Sequence, residues 1–117
     1  MLYKKDSQGT ETRDEMRGGK GAVLLTAAMP KDALPKQLRL VSQITLQPGC
    51  SIGYHRHEGE TEFFYVLEGQ ALVKDDDTEA IAAPGDVLVT PPGHAHSVEN
   101  NGDRVFRTLA VVVLEGA

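Results

Sequence analysis

The pattern that most constrains this chain is a series of short segments of alternating polarity, each closed by a turn of glycine or proline. Between Gln37 and Leu46 the residues at even positions are Leu, Leu, Ser, Ile and Leu, and Pro48-Gly49 follows. A period of two is typical of a β-strand with one buried face. The pattern therefore predicts a strand whose even positions point inward.

Similar segments recur to the end of the chain, with turn residues between them. The further strands predicted are 22–25, 62–67, 70–74, 79–82, 86–90, 94–99 and 104–113. Roughly seven or eight short strands with regular turns predict an all-β sandwich or barrel. The last strand is apolar on both faces near its end, which suggests that a second layer or a partner subunit covers it.

The beginning of the chain has a different character. Residues 6–21 are polar and charged, contain Gly18-Gly19 and Gly21, and show almost no apolar periodicity. This composition predicts an extended arm and not a helix. We therefore divide the chain into an N-terminal arm with the first strand, residues 1–36, and a barrel, residues 37–117.

Composition excludes several classes of protein. The 117 residues are enough for one domain. No run approaches the roughly 18 apolar residues of a membrane helix, and a formal charge of −5 argues against a nucleic-acid surface. The single cysteine, Cys50, excludes a disulfide framework and is expected to be a small buried residue. Because no apolar secretory segment follows the N-terminus, we expect a cytoplasmic protein.

All four histidines fall in two His-x-His pairs, His55/His57 and His94/His96. Residues i and i+2 of a strand point to the same face, about 6.5–7 Å apart, so two imidazoles can reach one metal ion. Glu62 opens the next predicted strand and can add a carboxylate. Three histidines and one carboxylate suit a divalent first-row metal ion with open coordination sites. The alternative is that these are core or surface histidines satisfied by hydrogen bonds.

Two motifs around these histidines resemble those of the cupin superfamily. The first, residues 49–69, has its fixed positions filled by Gly49, His55, His57, Glu62 and Gly69. The second, residues 85–100, has its fixed positions filled by Gly85, Pro91, Gly93, His96 and Asn100. The resemblance implies a single-domain cupin β-barrel, a double-stranded β-helix or jelly roll, with a metal ion inside one end.

The resemblance also implies which residues hold the metal: His55, His57, Glu62 and His96. Glu58 and Glu60 lie near Glu62 in the sequence and remain alternatives for the carboxylate. Phe64 shares the strand face of Glu62 and would line the pocket wall, with Phe106 facing it. The other interpretation of both phenylalanines is core packing alone.

His94 lies outside the fixed positions of the second motif. It follows directly on Pro91-Pro92-Gly93, where strand alternation need not yet hold. Three roles are open for it: a solvent-exposed histidine at the rim, a proton carrier in the pocket, or an alternative metal ligand.

The run from Arg13 to Gly21 is similar to the lead-in of short single-domain prokaryotic cupins of the oxalate-decarboxylase-like or mannose-6-phosphate-isomerase-like type. The resemblance implies a homodimer to which the N-terminal segment contributes. Arg17, next to two glycines, is a candidate for binding an anionic ligand. The alternative is an arm held by surface ion pairs.

Taken together, the resemblance implies a metal-dependent enzyme acting on a small anionic metabolite, as a dioxygenase, decarboxylase or isomerase. Manganese or iron is the expected metal, which would make it an oxidoreductase or lyase; zinc, nickel and cobalt fit the same ligands. The alternative is a non-catalytic, metal-dependent module for ligand binding or sensing. A metal-free barrel similar to sugar epimerases is a third interpretation, and the complete ligand set argues against it.

One position bears on the choice of substrate. Two-domain cupins that degrade oxalate carry an arginine three residues before the first ligand histidine, and Ile52 stands at that position here. Oxalate binding would therefore need another cation, such as Arg17 or Arg107.

Overall fold

The structure is a computed structural model of the chain and describes residues 1–115. These residues form ten β-strands and three single-turn 3₁₀ helices, the latter at Lys5–Ser7, Met16–Gly18 and Lys31–Ala33. The strands are β1 Thr10–Asp14, β2 Ala22–Ala27, β3 Leu38–Leu46, β4 Ser51–Arg56, β5 Glu60–Glu68, β6 Ala71–Asp75, β7 Thr78–Ala82, β8 Val87–Thr90, β9 Ala95–Glu99 and β10 Phe106–Leu114.

The strands pair into two antiparallel sheets. One sheet has six strands in the order β1-β2-β3-β10-β5-β8, and the other has four in the order β4-β9-β6-β7. Alternate residues of each strand point to the same face, so each sheet has an inner face that packs into the core and an outer face. The apolar residues form one core, which includes Val23, Ile44, Leu46, Ile52, Phe64, Val66, Val98 and Phe106. The all-β class expected from the sequence is confirmed.

The alternation in β3 behaves as expected. Ser42, Ile44 and Leu46 are buried, while Val41 and Gln43 on the opposite face are partly exposed. The strands β1 and β2 belong to the same sheet as β3, because β1 pairs with β2 and β2 pairs with β3.

Two strands, β1 and β4, have no counterpart among the predicted strands, and each has a physical reason for this. All five residues of β1 are exposed, so the strand has no buried face to mark its period. In β4 a register shift lies between Ile52 and His55, so that the inward positions are three residues apart instead of two. A bulge of this kind erases the alternation from the sequence.

The strand β10 lies between β3 and β5 in the six-stranded sheet. Its inward residues Ala110 and Val112 are fully buried, while Leu109, Val111 and Val113 on the outer face are partly exposed. The inner face of β10 is apolar because it packs into the core. That a partner subunit covers the outer face stays a prediction.

Asn100, a fixed position of the second motif, joins the loop after β9 to β3. Its side-chain amide donates hydrogen bonds to the carbonyl oxygens of Leu46 and Arg104, both at 2.8 Å, and its Oδ1 accepts one from the Gly102 amide. The side chain is fully buried and all its hydrogen-bonding groups have partners, so it stabilises the loop and does not bind a ligand.

No helix among residues 1–115 is long and apolar enough to cross a membrane.

Candidate metal centre

Four side chains from three regions of the barrel meet inside it. His55 lies on β4, and its Cα is paired with that of His96 on β9. His57 follows β4 directly, and Glu62 comes from β5 in the other sheet. His57, Glu62 and His96 are buried, and His55 is partly exposed toward the opening. The pairs His55/His57 and His94/His96 therefore contribute three imidazoles to the cluster, not four.

The donor atoms of this cluster are close together. Glu62 Oε1 lies 3.0 Å from His57 Nε2 and 3.3 Å from His96 Nε2, and the two Nε2 atoms are 3.2 Å apart. With His55 included, one donor atom from each of the four side chains lies within 4.8 Å of the others. Two ligands at about 2.1 Å from one ion and at right angles lie about 3 Å apart. The cluster could therefore hold a metal ion.

Each imidazole is oriented by a partner on its other nitrogen. His55 Nδ1 donates a hydrogen bond to the Gly53 carbonyl at 2.8 Å, and His57 Nδ1 contacts Glu60 Oε1 at 3.1 Å. Thr90 Oγ1 lies 2.7 Å from His96 Nδ1. Partners of this kind leave Nε2 as the ligand atom and are typical of metal-binding histidines.

The electrostatics of the cluster also suit a cation. Burial, together with the charges of neighbouring groups, lowers the pKa of His55 and so favours its neutral, metal-binding form. The hydrogen bond to Glu62 raises the pKa of His57 against the effect of burial. Burial by itself would raise the pKa of Glu62, but hydrogen bonds from His57 and His96 outweigh it and lower the pKa to about 2. Glu62 is thus an anion at neutral pH.

A small cavity of about 60 Å³ opens above the cluster. Its apolar wall includes Met16, Leu25, Ile44, Ile52 and Phe64. A single water needs roughly 10–15 Å³ measured in this way, so the cavity holds a few waters or one very small organic ligand. A larger surface groove of about 400 Å³, between Tyr3 and Pro30, contains none of the four clustered residues.

Three arginines line the mouth of the same cavity: Arg13, Arg17 and Arg39. Arg39 makes a two-point ion pair with Glu60, at 2.7 and 2.9 Å, and this pairing lowers the pKa of Glu60. Arg17 is the arm residue that the sequence singled out for anion binding, and it lines the cavity. The motifs give no sign of Arg13 or Arg39, because these two residues come from the arm and from the first half of β3.

The other predicted site residues lie in three different places: the cavity wall, the core and the outer face of the six-stranded sheet. Phe64 lines the cavity, and its ring lies 5.3 Å from that of His96. Phe106 is buried in the core and does not line the cavity. Arg107 pairs with Glu68 on the outer face of the six-stranded sheet, at 2.8 Å.

His94 also lies outside the cavity. It is half exposed, and its Nδ1 contacts Asp76 Oδ2 at 2.5 Å, a contact that lowers the pKa of Asp76. Its backbone carbonyl accepts a hydrogen bond from the His57 amide at 2.9 Å. This placement agrees with the rim interpretation and gives the imidazole no contact with the cluster.

Glu60 and Thr90, which orient two of the imidazoles, are the functional residues that the sequence motifs do not identify. Glu60 stands two residues before Glu62, so the period of two could have placed both carboxylates on one face. For Thr90 the sequence holds no signal, because its hydroxyl reaches His96 across a turn.

Comparison with known proteins agrees with this geometry. The family model for the cupin domain matches residues 42–112, more than half of the chain. The chain belongs to the cupin family. The match covers the whole cluster and both motifs, so the fold expected from the resemblance is confirmed.

A curated relative and a solved structure that are similar to this chain both come from Thermotoga maritima. This cupin is 37% identical, over 97% of its length and 94% of the other's, to an oxalate-binding protein. It also superimposes with a TM-score of 0.92, at 37% identity, on the crystal structure of a predicted oxalate decarboxylase, covering 97% and 99% of the two chains. A cupin 2 conserved barrel domain protein from Rhodopseudomonas palustris, 16% identical, has a TM-score of 0.76 over 91% and 71% of the chains and shares the fold.

Proposed function

We propose that this cupin binds a small carboxylate anion at a divalent metal ion held by His55, His57, Glu62 and His96. The observation that carries the proposal is the set of four converging donor atoms at the base of a small cavity. A metal ion in this position supplies positive charge and coordination sites for a ligand's oxygens.

The charge of the site supports an anionic ligand. Three neutral imidazoles, the Glu62 carboxylate and a divalent ion together carry one positive charge. The cavity admits only a few non-hydrogen atoms, which favours a ligand the size of oxalate over a sugar phosphate. Oxalate is also the ligand in the name of the Thermotoga relative, and we propose it as the first candidate here.

Manganese or iron is the metal that we propose. The donor set of three imidazole nitrogens and one carboxylate oxygen is compatible with both, and zinc, nickel and cobalt fit it as well. The choice rests on the sequence resemblance, and it is tested by the metal content of the protein.

The lining of the cavity favours binding without turnover. Apart from the four clustered residues and the three arginines, its wall holds only Met16, Leu25, Leu40, Ile44, Ile52 and Phe64. None of these can supply or accept a proton at neutral pH. A decarboxylase or isomerase needs such a group near the reacting carbon, so the non-catalytic module is the better-supported function.

A metal-dependent enzyme, either an oxidoreductase or a lyase, is the second candidate. Four protein ligands would leave open coordination sites on a six-coordinate ion. A substrate that binds at these sites could react at the metal. The protein's own residues would then orient the anion and exclude water, as the apolar wall does.

The test begins with metal analysis of untagged protein, beside the His57→Ala variant. We expect about one metal ion per chain in the wild type and less than a tenth of that in the variant, because one of four ligands is lost. Calorimetric titration of the metal-loaded protein with oxalate should show binding that the metal-free protein lacks. Binding by both forms would overturn the role of the metal.

Incubation of the metal-loaded protein with oxalate then separates the two candidates. Release of carbon dioxide or consumption of oxygen, lost in His57→Ala, would support the enzyme. Stable binding without either product would support the module. The homodimer and the cytoplasmic location implied by the sequence stay predictions.

A further inference from the structure

The arm reaches the mouth of the cavity through a tightly fitted turn. The turn Met16–Gly18 lies against β4, where the Lys20 amide donates to Ser51 Oγ at 2.9 Å and the Ser51 amide donates to the Lys20 carbonyl at 2.8 Å. A Cβ at Gly53 would collide with the Arg17 carbonyl oxygen, and one at Gly19 would collide with the Ser51 carbonyl oxygen. The two backbones therefore touch, and this contact holds Arg17 in place.

The turn also keeps two residues in an unfavourable backbone conformation. Glu15 has φ of 49° and Arg17 has φ of 56°, in the left-handed region that side chains other than glycine rarely adopt. Residues of this kind persist only where the surrounding structure holds them, and they concentrate at ligand sites. Glycine would satisfy the conformation of position 17 better than arginine does.

Arg17 differs from the other arginines at the mouth in its partners. Arg13 pairs with Glu11 at 2.7 Å and Arg39 pairs with Glu60. The guanidinium of Arg17 makes no ion pair or hydrogen bond with any side chain in residues 1–115. It nevertheless lines the cavity that His55 and His96 also line.

We propose that Arg17 is a second anchor for the anion and makes the site selective for dianions. The proposal deepens the function proposed above and rests on it. The loaded metal cluster carries one positive charge, the paired Arg13 and Arg39 add none, and Arg17 adds one more. Two positive charges match a dicarboxylate whose first carboxylate binds the metal, and the planar guanidinium receives the second in a two-point hydrogen bond.

This arrangement supplies the cation that the sequence lacks at position 52. Ile52 lines the apolar wall, and Arg107 points away from the cavity. Because Arg17 is exposed, solvent screens part of its attraction, and a moderate effect on affinity is expected.

The test compares Arg17→Gln with Arg107→Gln, each loaded with manganese and desalted, by calorimetric titration with oxalate and with formate. We expect Arg17→Gln to weaken oxalate binding about tenfold and formate binding about threefold or less, with unchanged metal content. Arg107→Gln, on the outer face of the six-stranded sheet, should leave both affinities within about twofold. Added salt should weaken oxalate binding to the wild type more than to Arg17→Gln.

A second variant, Arg17→Gly, removes the side chain and relieves the backbone. We expect it to lose oxalate affinity as Arg17→Gln does, while its thermal midpoint is equal to or higher than that of the wild type. Equal loss of oxalate and formate binding in Arg17→Gln, or no loss at all, would overturn the dianion anchor while the proposed function stands. A metal-loaded wild type that binds neither anion would overturn both proposals.

Discussion

Thr90 supports the metal cluster without belonging to it. Its side chain is fully buried, and its hydroxyl is 2.7 Å from Nδ1 of His96. The hydroxyl holds the imidazole ring so that Nε2 faces Glu62. Groups that orient a metal ligand in this way contribute to metal affinity although they never touch the ion.

We predict that Thr90→Val weakens metal binding about 10- to 100-fold, because the valine keeps the shape of the side chain and loses the hydrogen bond. Competition with a chelator of known affinity measures the effect. Thr108→Val is the matched control, since Thr108 is also fully buried and its hydroxyl contacts only the Leu109 carbonyl, at 3.4 Å. Equal affinities in the two variants would contradict the orienting role.

Glu62 gives the metal-free protein a defined dependence on pH. Burial opposes its ionisation in the folded state, but the hydrogen bonds from His57 and His96 outweigh burial and lower its pKa from 4.5 to about 2. A group with a depressed pKa stabilises the fold above its unfolded pKa, and this stability is lost as the pH falls toward the folded value. The window is therefore pH 4.5 down to about 2.

We predict that the free energy of unfolding of the metal-free protein falls by about 2 kcal/mol from pH 6 to pH 3 through this one group. Urea denaturation at both values measures the change. In Glu62→Gln this part of the pH dependence should disappear, whereas Glu79→Gln, on the exposed strand β7, should behave as the wild type does. A Glu62→Gln variant with an unchanged slope would show that the stabilising pair does not form.

Among the structural elements, the turn between β5 and β6 requires glycine for two reasons, a positive φ and a close approach of another backbone segment. Gly69 has φ of +74°, and a Cβ there would collide with the Val105 carbonyl oxygen. Gly85 has φ of +93°, but a Cβ there would meet no atom within 4 Å. The two glycines thus separate the cost of the backbone conformation from the cost of the close approach.

We predict that Gly69→Ala destabilises the fold by about 3 kcal/mol and Gly85→Ala by about 1 kcal/mol. The midpoint of urea denaturation for both variants measures the difference. Equal costs would mean that the Gly69 turn moves aside and that the contact with residue 105 does not constrain it.

At the scale of the whole molecule, the outer face of the six-stranded sheet is unusually apolar. Tyr65, Leu67, Val87 and Val89 on β5 and β8 are between 45% and 53% exposed. Leu109 and Val111 of β10 adjoin them across the sheet, because Leu109 pairs with Tyr65. Contiguous apolar surface of this kind is typical of an interface between subunits.

We predict that the protein is a homodimer in solution and that Val87→Lys with Val89→Lys converts it to a monomer. Burying two lysines in a subunit interface is unfavourable because their charges lose water without gaining partners. Light scattering after size-exclusion chromatography measures the mass. Tyr54→Gln, at an exposed aromatic residue of the four-stranded sheet, should leave the mass unchanged. A wild-type monomer would contradict the prediction.

The sequence by itself determined the all-β class, most strand positions and the identity of the three clustered histidines. These features are local: a strand period of two, a glycine that ends a strand and two residues spaced i, i+2 are each visible within about ten positions. The strands β1 and β4 could not be predicted in the same way, because one has no buried face and the other contains a bulge.

The resemblance pointed to Glu62 and to Arg17, but only the tertiary structure separated Glu62 from the alternative Glu60 and placed Arg17 at the cavity. Glu60 and Glu62 share one face of β5, and their separation along the barrel places Glu62 at the two Nε2 atoms and Glu60 behind His57. The pairing of the strands likewise places His94 outside the cluster and Arg17 at the cavity beside it. Such contacts join residues far apart in the chain, and only the pairing of strands from both sheets fixes the distance between them.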